Sequence, residues 1–299
     1  MTSLTSRRQS RGHAATAYAY LSPTLVLLVV LMAVPIGMVI WYSLQNNVIT
    51  NANPELVGLQ HYVDILGDSQ FHAALKNTAV FVLASVAAHL VLGLAFATLL
   101  NTPLLPNRIK TIFRTIFVLP WLLTVAIVAI LWRLILNPSG VFNYVLTTVG
   151  VIDGPKEWLG DPALALFAVT LMNIWYGYPF FMVSLLAGLQ GISADLYEAA
   201  SVDGAGPIRR FTSITVPQLR PIIISMTLLD LIWTSHQFAL IWMSTGGGPL
   251  DRTELLSTYT YKLAFSQYMF STASASAVFF LLISALLAYA YVRHQKARD

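Results

Sequence analysis

Apolar residues in this chain gather into six long runs, roughly 19–44, 75–100, 112–136, 163–189, 222–243 and 273–292, with polar segments between them. Each run holds about the 20 residues a helix needs to cross ~30 Å of hydrocarbon. The runs are continuous and do not alternate, which disfavours a closed β-barrel. The first is longer than a signal-peptide core and lacks a clear small-residue cleavage site before the next polar segment, so it reads as a span. The pattern predicts an all-α integral membrane protein with six transmembrane helices. Pro23 and Pro35 in the first span, Pro120 in the third and Pro179 in the fourth each remove a backbone donor, and packing kinks are expected there.

Charge orients the spans. Arg7, Arg8 and Arg11 precede the first, and Arg108, Lys110 and Arg114 lie between the second and third. Arg209, Arg210 and Arg220 lie between the fourth and fifth, and Arg293, Lys296 and Arg298 follow the sixth. With six crossings, these 12 of the 17 basic residues share one side. The opposite loops hold Glu55, Asp64, Asp68, Asp153, Glu157, Asp161, Asp251 and Glu254. Cationic loops stay cytoplasmic, so a multi-pass protein of the cell membrane with both termini in the cytoplasm is expected. Residues 1–17 and 294–299 are then cytoplasmic tails around one six-span domain at 18–293.

Composition agrees. Only 10% of the residues are charged, against about a quarter in soluble domains. The net charge of +4 is a signal of topology and gives no reason to expect nucleic acid as a partner. Cysteine is absent, which removes disulfides and thiolate metal sites.

The polar segment between the fourth and fifth spans has its own grammar. Asp195 can cap a short helix, with Glu198 in the reciprocal capping position. That helix would run through Asp203. Gly204 and Gly206 allow a sharp turn, and Pro207 suits the first position of a second short helix. Val216-Pro217 would end it, and Pro221 would start the fifth span. The expected object is a knuckle of two short helices across the membrane surface. A plain amphipathic loop, with Arg209 and Arg210 at lipid phosphates, is the other reading.

In Glu198-Ala199-Ala200, then Gly204, Ile214 and Val216-Pro217, the segment resembles the EAA loop of the membrane subunits of ATP-binding-cassette (ABC) importers. Val216 departs from the usual Leu. Further matches are Val57-Gly58-Leu59 with His61-Tyr62, Leu75-Lys76-Asn77-Thr78, Phe113-Arg114-Thr115 with Leu119-Pro120, and Thr245-Gly246-Gly247-Gly248-Pro249 followed by Thr253, Leu256, Tyr259 and Tyr261. These look most like the maltose- and glycerol-phosphate-type permeases, over about residues 20–292. Phe238-Ala239 departs from a common Phe-Asp. The resemblance implies a type I importer permease fold with cytoplasmic coupling helices over 195–217. It implies coupling to the ATPase through Glu198, Ala199, Ala200, Asp203, Gly204, Ala205 and Arg209, with Glu198 pairing with a basic residue there. The implied partners are a sister permease subunit in a heterodimer, two ATPase subunits, an extracytoplasmic solute-binding protein and the bilayer. ATP and Mg would sit on the ATPase, with no cofactor on this chain and no catalysis by it. The implied cargo is a small sugar or sugar-like solute.

Asp230 is an acidic residue well inside the fifth span, and such carboxylates face a cavity or a partner. Trp233, Thr234 and Gln237 follow at i+3, i+4 and i+7 and share its face. This polar and aromatic stripe is of the sort sugars bind, or it packs against a sister subunit. Asn173 and Tyr176 on the fourth span could line the same route. The chain has no G-x-x-x-x-G-K-[ST] phosphate loop, no His-Glu-x-x-His and no G-x-S-x-G turn. A self-sufficient secondary transporter or channel would explain the spans and Asp230 but leaves the knuckle without a purpose. Oligosaccharide, polyol and glycerol-phosphate cargoes stay open, with the lack of a cationic cluster inside the spans favouring a neutral one.

Overall fold

The computed structural model describes residues 19–46 and 48–296. The expected tail at 1–17, with Arg7, Arg8 and Arg11, lies outside the described residues, as does Arg298. The helices are α1 (Ala19–Ser43), α2 (Gln60–Gly67), α3 (Ser69–Asn101), α4 (Asn107–Leu122), α5 (Val125–Ile135), α6 (Val141–Thr148), α7 (Ala165–Gln190), α8 (Ala194–Val202), α9 (Pro207–Ser235), α10 (Ala239–Ser244), α11 (Leu256–Phe265) and α12 (Phe270–Lys296). Among the described residues the extended structure is one isolated bridge, between Gln45 and Leu56. Five helices, α1, α3, α7, α9 and α12, are each long and apolar enough to cross a membrane.

The third span differs from expectation. The run at 112–136 is not one straight helix but the pair α4 and α5, bent by 101°. Pro120, buried in the last turn of α4, has no N–H, so the carbonyl four residues back loses its helical donor. Thr124 then takes an extended conformation and caps α5, accepting from the Ile127 amide at 3.4 Å.

The fifth span also differs. It begins at Pro207, not at 222, so the second short helix of the knuckle is the first turn of α9 itself. Pro217 and Pro221 do not interrupt it. A π-turn at Phe211–Thr215 precedes Pro217, and a second one at Val29–Ala33 precedes Pro35 in α1. The wider turn makes room for the ring and absorbs the missing hydrogen bond. At its other end α9 stops at Ser235, because the His236 ring nitrogen Nδ1 reaches the Ile232 carbonyl at 2.8 Å.

The described residues divide into two compact units, 19–67 with 263–279 and 68–262 with 280–296. In the first, α1 leaves its apolar side chains exposed over most of its length. Its end is tied down by polar contacts: Ser43 Oγ to the Tyr62 hydroxyl at 2.7 Å, and His61 Nε2 to the Gln45 carbonyl at 3.1 Å. Thr272 meets the other ring nitrogen of His61, and Ser271 Oγ accepts from the Val48 amide. The connection at 45–74 thus contains a short packed element, α2.

In the second unit α3 and α7 pack side by side. One apolar cluster joins Phe81, Val128, Trp132, Met172, Leu240 and Leu255. Another joins Ala97, Phe181, Met182, Leu185 and Leu219. Burial drives soluble cores, but in lipid close van der Waals packing through small residues does more of the work. Gly93 is such a residue: a Cβ there would lie 2.9 Å from the Met182 amide nitrogen. The loop before α11 is bolted to the start of α3. Asn77 Nδ2 donates to the Asp251 and Glu254 carbonyls at 3.0 and 3.1 Å, and the fully buried Glu254 carboxylate pairs with Lys262. Asp68 caps α3 and accepts from the Tyr259 hydroxyl at 2.6 Å. Burial, and then the Asp68 carboxylate, push the Tyr259 phenol well above its usual range.

Gly93→Leu is expected to force α3 and α7 apart and to cost about 1–3 kcal/mol of overpacking. A thermal-aggregation midpoint in detergent should fall by several degrees; an unchanged midpoint would contradict the close approach.

Candidate functional site

Two groups of residues stand out, both within the second unit. The first surrounds a cavity of about 80 Å³. The structure brings Asn173, Tyr176, Asp230, Trp233, Thr234 and Gln237 together in its wall, from α7 and α9. The i+3, i+4, i+7 spacing on α9 and the i+3 spacing on α7 place one face of each helix toward the other. His89, Trp121, Gly177 and Phe180 complete the wall. Sequence reasoning missed these four.

Asp230 is 6% exposed and His89 1% exposed. Asp230 Oδ2 lies 2.7 Å from His89 Nδ1, and His89 Nε2 lies 3.0 Å from the Asn173 main-chain carbonyl. Thr234 Oγ1 donates to Asp230 Oδ1 at 3.1 Å. The carboxylate is therefore held within its own chain. Gly177 makes this possible, because a Cβ there would sit on the His89 ring. Gln237 Nε2 donates to Asn173 Oδ1 at 3.3 Å, while the buried Asn173 Nδ2 has no partner among the described residues. On the aromatic side, Phe180 packs against Trp233 at 5.1 Å and Trp121 at 6.1 Å between ring centroids. Trp233 stays 53% exposed. Tyr178, a neighbour on α7, points away and donates its hydroxyl to the Phe117 carbonyl at 3.0 Å. His236 packs tilted against Phe280, 4.5 Å between ring centroids, and does not line the cavity.

The second group is the knuckle. Ser193, not Asp195, caps α8, accepting from the Asp195 amide at 3.3 Å. Asp195 therefore lies in the first turn, where its charge suits the helix dipole, and the expected reciprocal pair with Glu198 does not form. Glu198 and Ala199 are exposed, Ala200 is half-buried, and Asp203 closes α8. Gly204 has φ +77°, a left-handed turn that glycine adopts without strain. The Ala205 amide then bonds back to the Ala200 carbonyl at 2.8 Å. Ala200, Asp203, Ala205 and Arg209 line a surface hollow of about 190 Å³ with Arg210, Ser213 and Ile214. Two contacts brace the bend: Arg210 to Ser201 Oγ at 2.9 Å, and the Tyr197 hydroxyl to Thr215 Oγ1 at 2.9 Å. Val202 is 88% and Ile208 80% exposed, so the tip presents apolar side chains. Among the described residues no group of three His, Asp or Glu side chains could hold a metal ion.

Known proteins resemble the chain along nearly its whole length. It is 35% identical to the trehalose/maltose transport system permease protein MalF of Thermococcus litoralis over 288 residues, covering 96% of each chain. It is 32% identical to the sulfoquinovosyl glycerol transport system permease protein SmoG of Agrobacterium fabrum, covering 96% and 92%. Its fold is similar to a chain in the crystal structure of a bacterial alginate ABC transporter in complex with an alginate pentasaccharide-bound periplasmic protein. There the TM-score is 0.80 at 24% identity, over 95% of this chain and 94% of that one. Residues 89–298, which carry the cavity and the knuckle alike, match the profile described as binding-protein-dependent transport system inner membrane component, and the chain belongs to that family.

Proposed function

We propose that this chain is the membrane-spanning subunit of an ATP-driven importer for a sugar or sugar-like solute. A binding protein outside delivers the solute, a sister permease supplies the other half of the route, and separate ATPase subunits hold ATP and Mg. The observation that carries this reading is the continuity of α9. One helix runs from the knuckle at Pro207 through Asp230, Trp233 and Thr234 in the cavity wall. A push on the knuckle therefore reaches the cavity without crossing a loop. Helices transmit such displacements as stiff bodies, and small shifts at one end move packed neighbours at the other.

The knuckle is shaped for a protein partner in the cytoplasm. Val202 and Ile208 offer apolar anchors, and the exposed Glu198 makes no hydrogen bond or ion pair among the described residues. It is free to meet a cation of the ATPase, while Gly204 sets the turn that presents it. When ATP closes the ATPase dimer, the knuckle moves with the closing cleft and α9 tilts. The cavity then changes the side to which it opens. The relatives named for trehalose, maltose and sulfoquinovosyl glycerol support a glycosyl-type cargo. So does the pairing of amide and hydroxyl groups with an aromatic wall, because sugars offer hydroxyls on their edges and C–H groups on their faces. A self-sufficient carrier has no use for an exposed apolar knuckle.

In the assembled complex, Glu198→Ala is expected to lower solute-stimulated ATP hydrolysis and uptake at least about fivefold by removing one partner of a charge pair, with the subunit still inserted. Gly204→Val, which forces a β-branched residue into a left-handed turn at about 1–2 kcal/mol, should act in the same direction. Wild-type uptake and wild-type stimulated hydrolysis in both variants would refute the coupling role. Asp230→Ala is expected to lower uptake at subsaturating solute, and unchanged uptake would count against the cavity as the route.

A further inference from the structure

The His89–Asp230 pair has a fixed proton count. Nε2 of His89 faces the Asn173 main-chain carbonyl at 3.0 Å. A carbonyl only accepts, so Nε2 carries a hydrogen. Nδ1 and Asp230 Oδ2, 2.7 Å apart, then need one proton between them. On the nitrogen, that proton makes an imidazolium beside a carboxylate. On the oxygen, it makes a neutral imidazole beside a carboxylic acid. Either way the pair has no net charge. The remaining lining groups are aromatic, amide, hydroxyl and glycine, so the wall that this chain contributes carries no formal charge.

The same bonds occupy the carboxylate. Oδ2 is taken by His89 and Oδ1 by Thr234. Among the described residues, the buried polar atom of this wall left without a partner is Asn173 Nδ2. A charged solute entering this wall would lose its hydration and find no counter-charge, and buried unpaired ions carry a large penalty. A hydroxyl-bearing neutral solute would find the Tyr176 hydroxyl and aromatic faces.

Resting on the reading of this cavity as part of the solute route, we infer that His89 is a positioning residue that neutralises Asp230 and withholds its carboxylate from the solute, so that this wall selects an uncharged polyhydroxyl solute over an anionic one. The charge of relatives' cargoes does not decide this. The sulfonated solute named for one relative and the acidic polysaccharide named for a solved structure are cargoes that a wall of this kind disfavours.

The proton count makes a specific demand on substitutions. Asparagine at 230 can donate from Nδ2 to the free Nδ1 of a neutral His89 while its Oδ1 still accepts from Thr234. Alanine can do neither. The test is ATP-driven uptake by the assembled complex in proteoliposomes, with labelled maltose and trehalose as neutral probes and digalacturonate as the anionic probe. Wild type is expected to take up at least one neutral disaccharide more than about tenfold better than digalacturonate. Asp230→Asn should retain at least about tenfold more uptake than Asp230→Ala or His89→Ala, with the neutral-to-anionic ratio kept. If Asp230→Asn is as poor as Asp230→Ala in a complex that still assembles, the carboxylate charge is in use and the inference falls while the importer reading stands. Preferred uptake of digalacturonate would also overturn it. No ATP-driven uptake of any of the three probes would overturn this inference and leave the importer reading standing, because other solutes stay open to it.

Discussion

Ionisable side chains inside an apolar helical bundle persist only when their hydrogen-bonding capacity is met by neighbours. That constraint falls here on His89 and Asp230, and much of the second unit is arranged around it. His89 stands on α3 and Asp230 on α9, and both nitrogens of the ring are satisfied only because α7 offers the Asn173 carbonyl. α7 can come that near because position 177 is glycine. The three helices are thus locked in one register by two hydrogen bonds. The clusters around Phe81 and Phe181 then pack on either side of the lock.

The lock also defines what α9 can transmit. It holds the helix at Asp230, while the other end of the same helix forms half of the knuckle. The π-turn at Phe211–Thr215 lies between these points, and Tyr197 on α8 is tied to it through Thr215. Both halves of the knuckle therefore act on one helix, whose far end forms the cavity wall. The break between α4 and α5 has a different effect. It turns the chain by 101° beside the cavity and places Trp121, in the last turn of α4, in the wall.

Much of this was legible in the chain itself. Length and hydropathy locate the spans, because a lipid-crossing helix cannot hide its composition. The stripe Asp230, Trp233, Thr234 and Gln237 follows from helical spacing alone, as does the pair Asn173 and Tyr176. The turn at Gly204 follows from glycine's freedom at positive φ. What stayed hidden depends on register between helices distant in sequence. His89 is 141 residues from Asp230, and no local pattern marks it as the partner; a histidine within an otherwise apolar run was the available signal. Trp121 enters the wall only because the chain breaks at Thr124, and proline alone does not say whether a helix bends or breaks. At Pro217 the same residue type was expected to end a helix, yet the π-turn before it carries the helix through. The cap of α8 went to Ser193 because its hydroxyl reaches the Asp195 amide. Residues 193 and 195 are both good caps, and their order in the chain does not choose between them.

The central claim is that this subunit couples a solute route to ATP hydrolysis on another chain. Its most direct test is purification of the chain from its host in mild detergent, with identification of what accompanies it and an ATPase assay on the eluate. The account predicts recovery of a second permease and an ATP-hydrolysing subunit, with activity in the eluate. Recovery of this chain alone, without ATPase activity yet still transporting solute in liposomes, would contradict it.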